Sequence, residues 1–299
     1  MNPQIVVLDF GGQYCHLIAR RVRDFGVYSE VVPSDTTAKE LKEKCPLLKG
    51  IILSGGPASI GEKGAPKMDE KILEIGVPVL SLCYGHQLLA TILGGKLGVG
   101  KQGEYGLTNI LVNRKSRILA GLEKSETVWM NHRDSVVALP VGFSTVASSE
   151  ICEVAAYENT DKKIFGLQFH PEVTHTKCGK KIFENFVFNI CSAKKDWSME
   201  DFIEKTVASI KEQAKGRRAV LGLSGGVDSS TVAALVGRAI GKNLTAVFVD
   251  TGFMRKNETE FIKGAFGKQD IGLKMIDAKK RFYSAMKGVE DPEKKRKII

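Results

Sequence analysis

The 299-residue sequence predicts an α/β protein in two parts, residues 1–193 and 194–299. Three observations carry that expectation. Short apolar, strand-like runs alternate with amphipathic, helix-like runs from the first residues onward, the rhythm of a mainly parallel sheet. Two of the strand-like runs pass through a turn of unusual content into a helix-like run, "PVLSLCYGHQ" and "AVLGLSGGVDSS". Between the two parts, the polar stretch "SAKKDWSMEDFIEK" interrupts the alternation, and Ser198 with Asp201 three positions later reads as a new helix start.

In chain order, "QIVVLDF" is a buried strand and "HLIARRVRDFG" an amphipathic helix stopped by Gly26. "YSEVVP" is a short strand, "AKELKEKC" a helix, "GIILSGGP" a buried strand running into glycines, and "MDEKILEIG" a helix. "PVLSL" is a strand and "GHQLLATILGG" a helix with Gly94 and Gly95 at its end. A strand-rich section follows, in which "EVAAYE" and "KIFGLQF" pair as a hairpin across "NTDKK". The second of these runs into "HPEVTH", and helix-like "CGKKIFENFVFNIC" closes the first part. The second part reads strand "RRAVLGL", helix "TVAALVGRAIG", strand "LTAVFVDTG" and a final charged, helix-prone "EDPEKKRKII".

Composition narrows the function classes. With 43% hydrophobic and 26% charged residues, the chain can bury substantial cores, and no apolar run is long enough to cross a bilayer. The N-terminus has neither a basic n-region nor an h-region, so a cytoplasmic protein is expected. Six scattered cysteines without a CxxC pair argue for reduced thiols and against a structural zinc site. The net charge of +10 is uneven: residues 1–193 carry 22 basic against 20 acidic side chains, and residues 194–299 carry 22 against 14. A basic second part suits a polyanionic ligand, and a nucleotide satisfies that as well as a nucleic acid does.

A cysteine at a strand-to-helix turn, as Cys83 is, gains reactivity from the helix N-terminus, whose dipole and free amides favour the thiolate. The same amides stabilise an oxyanion when the sulfur attacks a carbonyl, and the turn projects the side chain outward as a nucleophile elbow does. Such a nucleophile needs a base and the base an orienting partner. His170 and Glu172 stand two apart at the end of a predicted strand, a spacing that puts both on one side, with Pro171 stiffening the stretch. The Ser54-Gly55-Gly56 loop offers a further amide beside a closely approaching substrate.

In this order, "LSGGP", "PVLSLCYGHQ" and "HPE" resemble the class I glutamine amidotransferases; "LDFGGQYCHLIARRVRD" and "VWMNHRDSV" are similar to the GMP synthase branch of that family. The resemblance implies a flavodoxin-like open sheet. It makes Cys83 the nucleophile that forms a glutamyl thioester and releases ammonia, His170 the general base and acid, and Glu172 its orienting partner. Gly56 and Tyr84 would supply oxyanion-hole amides. Gln87 and the backbone of Asn131, His132, Arg133 and Asp134 would hold glutamine. Arg133 stands where the family usually has glycine, and Asn131 and Gly12 where it usually has serine.

In the second part, the glycine-rich loop before a helix can cradle phosphates with its amides and with the hydroxyls of Ser224, Ser229 and Ser230. It is not a Walker A loop, since GK[ST] is missing. The run Ser224-Gly225-Gly226-Val227-Asp228-Ser229-Ser230 resembles the PP-loop of ATP pyrophosphatases, which implies a Rossmann-like fold, ATP binding and pyrophosphate release. Asp228 is the candidate ligand for magnesium, a hard cation that prefers oxygen. "VFVDTGFMR" resembles the strand after this loop in GMP synthases and makes Asp250 and Arg255 further candidates.

Together the resemblances imply glutamine, ATP and xanthosine monophosphate (XMP) as substrates and no organic prosthetic group. In the family reaction, ATP adenylates XMP and ammonia from glutamine then displaces AMP to give GMP. The family forms homodimers through a domain that lies beyond the part this sequence resembles. The second domain is therefore expected to be incomplete, and the chain alone is expected not to make GMP. Three other readings stay open: a glutaminase subunit of another synthase such as anthranilate or carbamoyl-phosphate synthase, a nucleic-acid-binding PP-loop protein, and a degenerate, regulatory amidotransferase. The PP-loop argues against the first, and the lack of an aromatic-interleaved basic patch against the second.

Overall fold

The computed structural model describes residues 2–113 and 115–299. The chain divides into two compact units, residues 1–197 and 198–299. The stretch after the first unit's last helix is tied back to it: the Lys194 amide donates to Gln4 Oε1 (2.9 Å), and the Asp196 and Trp197 amides donate to the Gly26 carbonyl.

Among the described residues the first unit is built on a nine-stranded sheet. It opens with β1 (Ile5–Asp9), α1 (Cys15–Arg23), β2 (Ser29–Pro33), α2 (Ala38–Lys44) and β3 (Gly50–Leu53). After a 3₁₀ helix at Glu70–Ile75 come β4 (Val79–Leu82) and α3 (Tyr84–Ile92). Then follow β5 (Lys96–Val112), β6 (Ser125–Ala138), β7 (Ser144–Ser148), β8 (Ala156–Asn159) and β9 (Ile164–Leu167). A last helix, α4 (Gly179–Glu184), continues as a π-helical turn over Asn185–Ile190. The strand order is β2-β1-β3-β4-β9-β8-β7-β5-β6. The five strands from β2 to β9 are parallel and the rest antiparallel.

The central strands are apolar on both faces because both are covered. Ile5 and Val7 of β1 pack into one core with Ile18, Ala19 and Val22 of α1 and Ile182 and Phe183 of α4, whereas Val6 and Leu8 pack into the other with Leu41 of α2 and Leu88 and Leu89 of α3. The buried positions of α1 fall three and four apart, so one stripe of that helix meets the sheet. Thr37 and Glu40 form a reciprocal capping box at the start of α2.

Two expectations are corrected and one pairing is added. "MDEKILEIG" forms only the short 3₁₀ helix, started by the Asp69 carboxylate on the Lys71 amide and stopped by left-handed Gly76 (φ 85°). The strand-rich section contains a long antiparallel pair, β5 with β6, that the local pattern does not announce, because its register is interrupted by bulges. His170 and Glu172 lie past the end of β9 in a turn rather than in a strand. Pro171 between them lacks the N–H that ladder pairing would use.

The second unit begins with α5 (Met199–Ala214), whose N-cap Ser198 accepts from the Asp201 amide. It continues through β10 (Ala219–Gly222), α6 (Val227–Ile240), β11 (Leu244–Asp250), α7 (Glu258–Phe266), β12 (Gly272–Asp277), α8 (Lys279–Met286) and α9 (Pro292–Ile298). Its sheet is parallel in the order β10-β11-β12, with a small core of Leu223, Ala233, Ala246, Phe248, Ile262 and Phe266. No helix among the described residues is long and apolar enough to cross a membrane.

Candidate active site

The site of the first unit forms where β4 turns into α3. Cys83 occupies that turn with φ 49° and ψ −106°, a conformation that costs a residue with a Cβ about 1–3 kcal/mol. The strain persists because neighbours on both sides hold it. The Cys83 amide donates to the Leu167 carbonyl (2.8 Å), extending the β4–β9 ladder, and the Gly85 amide donates to the Ser54 carbonyl (3.2 Å). Gly85 permits this approach: a Cβ there would lie 2.7 Å from Leu53 Cβ and 2.9 Å from the Leu53 and Ser54 carbonyl oxygens. The first amides of α3 have no carbonyl four residues back, so they face the turn unpaired within the helix.

The loop after β9 brings His170 to the sulfur. Its amide donates to the Trp129 carbonyl (3.0 Å), and Thr176 Oγ1 donates to its carbonyl (2.7 Å). His170 Nδ1 lies 2.7 Å from Glu172 Oε1, both side chains being buried. Arg21 Nε donates to the Glu172 carbonyl (2.9 Å), pinning the turn to α1. Tyr14 packs edge-on against the imidazole at 5.5 Å. A Cβ on Gly55 would lie 3.1 Å from His170 Cε1 and 3.5 Å from Cys83 Cβ, so this glycine lets the loop after β3 close over both.

The charge balance follows from that packing. Burial by itself disfavours the imidazolium of His170. The Cys83 sulfur beside the ring and the Glu172 carboxylate bonded to Nδ1 outweigh burial and push the pKa up to about 10. The nearby cysteine of α1 is held neutral: burial, then the Asp9 carboxylate, push the Cys15 thiol up to about 12. Two thiols therefore border one cavity, and Cys83 is the one with the imidazole as partner.

Cys83 stands between two cavities. One, of about 260 Å³, is bordered by Gly11–Cys15, Gly55, Gly56, Pro57, Asn131, His170 and Glu172. The other, of about 270 Å³, is bordered by Gly56, Tyr84, Gln87, Tyr105 and the β6 segment Asn131–Asp134. All the candidates for oxyanion and glutamine binding meet in this second cavity. The Cys83 thiol donates to the Asn131 carbonyl (3.6 Å), and Gln87 Nε2 donates to the Asp134 carbonyl (2.7 Å) and to Gln168 Oε1 (3.1 Å). Arg133 is exposed on β6, whereas His132 is buried with its ring turned toward Glu104 (3.0 Å). Sequence reasoning missed Tyr14, Arg21, Tyr105 and Gln168. Gln168 alone carried a signal, since it lies two and four residues before His170 and Glu172.

In the second unit, residues 224–230 form the turn from β10 into α6. Gly225 is left-handed (φ 83°) and Gly226 caps the helix in extended conformation. Ser224 Oγ and Ser229 Oγ are 3.0 Å apart, and Ser229 Oγ also accepts from the Ser224 amide (3.2 Å). Asp228 is exposed in the first turn of α6. Asp250 ends the neighbouring strand β11, but its carboxylate is already engaged by the Gly252 amide (2.9 Å), Thr259 Oγ1 (3.0 Å) and Lys279 Nζ (3.1 Å). Arg255 is exposed, its amide donating to Glu258 Oε2 (2.9 Å). The Glu258 side chain also reaches the loop: a Cβ on Gly225 would lie 2.8 Å from Glu258 Oε1.

A thiol at a strained strand–helix turn, an imidazole backed by a carboxylate and a pocket floored by helix amides define a cysteine-dependent acyl-transfer type of site. The profile of the class I glutamine amidotransferases matches residues 6–190, and that of the NAD synthases matches residues 197–296. The chain belongs to the class I glutamine amidotransferase family. It is 51% identical over 296 residues to the glutamine-hydrolysing GMP synthase of Caldicellulosiruptor saccharolyticus and 49% identical to that of Clostridium kluyveri. Each match covers 99% of this chain and 58% of the relative, so the chain spans somewhat more than half the length of the curated relatives it matches. Among solved structures it is similar to a GMP synthase subunit from Thermoplasma acidophilum, at 34% identity and a TM-score of 0.57, over 69% of this chain and 98% of that one.

Proposed function

We propose that the first unit hydrolyses glutamine and that the second binds ATP, as the two working parts of glutamine-dependent GMP synthesis. The observation that carries the reading is the placement of Cys83 at the mouth of the glutamine-sized cavity with the His170–Glu172 pair, joined at 2.7 Å, behind it. Cys83 Sγ attacks the carboxamide carbon, and the oxyanion that develops is met by the amides of Gly56 and Tyr84. His170 delivers its proton to the leaving nitrogen, the C–N bond breaks, and ammonia departs from a glutamyl thioester. Water, deprotonated by His170, then releases glutamate and restores the thiol. Glu172 keeps the ring oriented, and Gln87 with Asn131–Asp134 holds the substrate.

In the second unit the amides of Gly225 and of residues 227–229, with the hydroxyls of Ser224, Ser229 and Ser230, hold the ATP phosphates. Asp228, an exposed carboxylate in the first turn of α6, offers the hard oxygen donors that magnesium takes, and the ion would neutralise phosphate charge there. XMP is the acceptor that this reading assigns. A cytoplasmic setting fits six cysteines that are all free and buried. The test is glutamate release from glutamine by the purified chain, and binding of Mg·ATP to it by calorimetry. Glutamine turnover that persists in Cys83→Ala would sink the first assignment, and the absence of Mg·ATP binding would sink the second.

A further inference from the structure

Behind the wall of the glutamine cavity lies a chain of polar side chains reaching from Ser149 and Glu104 to His132. Glu104 on β5 and His132 on β6 are both buried, as is Cys152 beside them. Ser149 Oγ donates to Glu104 Oε1 (2.6 Å), and His132 Nε2 lies 3.0 Å from Glu104 Oε2. The other ring nitrogen, His132 Nδ1, lies 3.0 Å from the Asp134 carbonyl oxygen, the same oxygen that accepts from Gln87 Nε2. A buried carboxylate is tolerated only when such bonds occupy it. This one is linked in three steps to a side chain of the cavity.

The local sheet explains why a link is needed. Pairing of β5 with β6 steps from Val99 opposite Asp134 to Glu104 opposite His132, and the ladder is irregular between these points. Arg133 therefore lies where regular backbone pairing does not hold β6, at the segment that lines the cavity. We propose that Ser149, Glu104 and His132 form a positioning relay that sets the Asn131–Asp134 wall against Cys83 and Gln87, and so controls glutamine affinity. The inference rests on the reading of that cavity as the glutamine site.

The three donors Glu104, His132 and Cys152 also lie within 4.8 Å of one another, the spacing of a metal site. Positioning is favoured because both ring nitrogens of His132 already face oxygen partners. The Cys152 thiol, moreover, is held protonated, pushed up to about 12 by burial and then by the Glu104 charge.

The test compares Glu104→Leu, Glu104→Gln and the milder Ser149→Ala in the full chain. Glutamine can keep both bonds of Glu104, accepting from Ser149 and donating to His132 Nε2, while His132 Nδ1 donates to Asp134. Glu104→Leu should raise KM for glutamine about tenfold with kcat changed less than about threefold; Glu104→Gln should restore KM to within about twofold. Ser149→Ala should fall between them. A second readout needs no turnover: the rate of Cys83 alkylation by iodoacetamide, followed by peptide mass, and its slowing by glutamine. Glu104→Leu should shift that rate because Asn131 moves from the thiol, and Glu104→Gln should not. Glutamine failing to protect wild-type Cys83 would defeat the reading of the cavity, while the alkylation rates would still report on the relay. Unchanged KM and alkylation in Glu104→Leu, with only a lowered Tm, would overturn the relay. So would one zinc per chain that is lost with Glu104→Leu.

Discussion

The chain uses the same local device twice, a parallel strand turning directly into a helix, and fills its critical position in opposite ways. In the first unit the turn residue with positive φ is Cys83, 7% exposed and enclosed by three loops. In the second unit it is Gly225, in a loop where Ser224, Gly226, Val227 and Asp228 are exposed. A nucleophile must have a side chain at the point where the backbone turns, so the first turn tolerates strain and needs surrounding packing to hold it. In the proposed phosphate site the backbone itself would bind, so the second turn removes the side chain at Gly225, and the Ser224 and Gly226 amides are held by the Ser229 and Ser224 hydroxyls. One turn is built to place an atom and the other to present a surface.

The sharpest way to break this contrast is at the sulfur. Cys83→Ala should lower glutamine turnover by at least ~10³-fold. Cys83→Gly should be equally inactive but more stable than Cys83→Ala by about 1 kcal/mol in urea unfolding, because only glycine relaxes at φ 49°. Equal stability of the two would mean that the turn is not strained. Next in size is the packing beneath the turn. Gly85→Ala sets a Cβ against backbone atoms of β3 at 2.9 Å, and should cost ~2–3 kcal/mol in the same assay.

The third prediction concerns pH. His170 is stabilised in its charged form, with a pKa raised from 6.5 to about 10. Its contribution to stability is complete below its ordinary pKa and is lost as pH rises through about 10. Glu172→Gln should therefore be less stable than wild type by ~3 kcal/mol near pH 6, with the gap closing toward pH 10. A gap that widened with pH would show that the pair does not favour the imidazolium. The smallest effects probe the open loop. Gly225→Ala must enter a left-handed conformation and should weaken Mg·ATP binding about tenfold in calorimetry, at ~1 kcal/mol of stability. Gly264→Ala, inside α7 with nothing near its Cβ, should leave binding unchanged and raise stability by ~0.5–1 kcal/mol.

Much of this contrast is legible in the order of residues along the chain. Cys83 stands at a junction of strand and helix patterns, "SGGVDSS" at another, and Gly26, Gly94 and Ser198 punctuate helices where short-range rules place them. Those features depend on residues within one or two turns of each other. The His170–Glu172 bond illustrates the limit. The two-residue spacing suggests a shared strand face, whereas the bond forms in a turn that Pro171 and the Arg21 guanidinium impose.

What the sequence alone determined was the α/β class, the two junctions, the candidate nucleophile with its histidine and glutamate, and the candidate phosphate loop, since periodicity and turn chemistry are local. Only the tertiary structure decided that β5 and β6 pair across an irregular register and place Asn131–Asp134 against Cys83. It also decided that Gln168 reaches Gln87 from 81 residues away and that Glu104 lies behind His132. Those contacts arise from strand order and burial, which act between segments far apart in the chain and leave no periodic trace in either one.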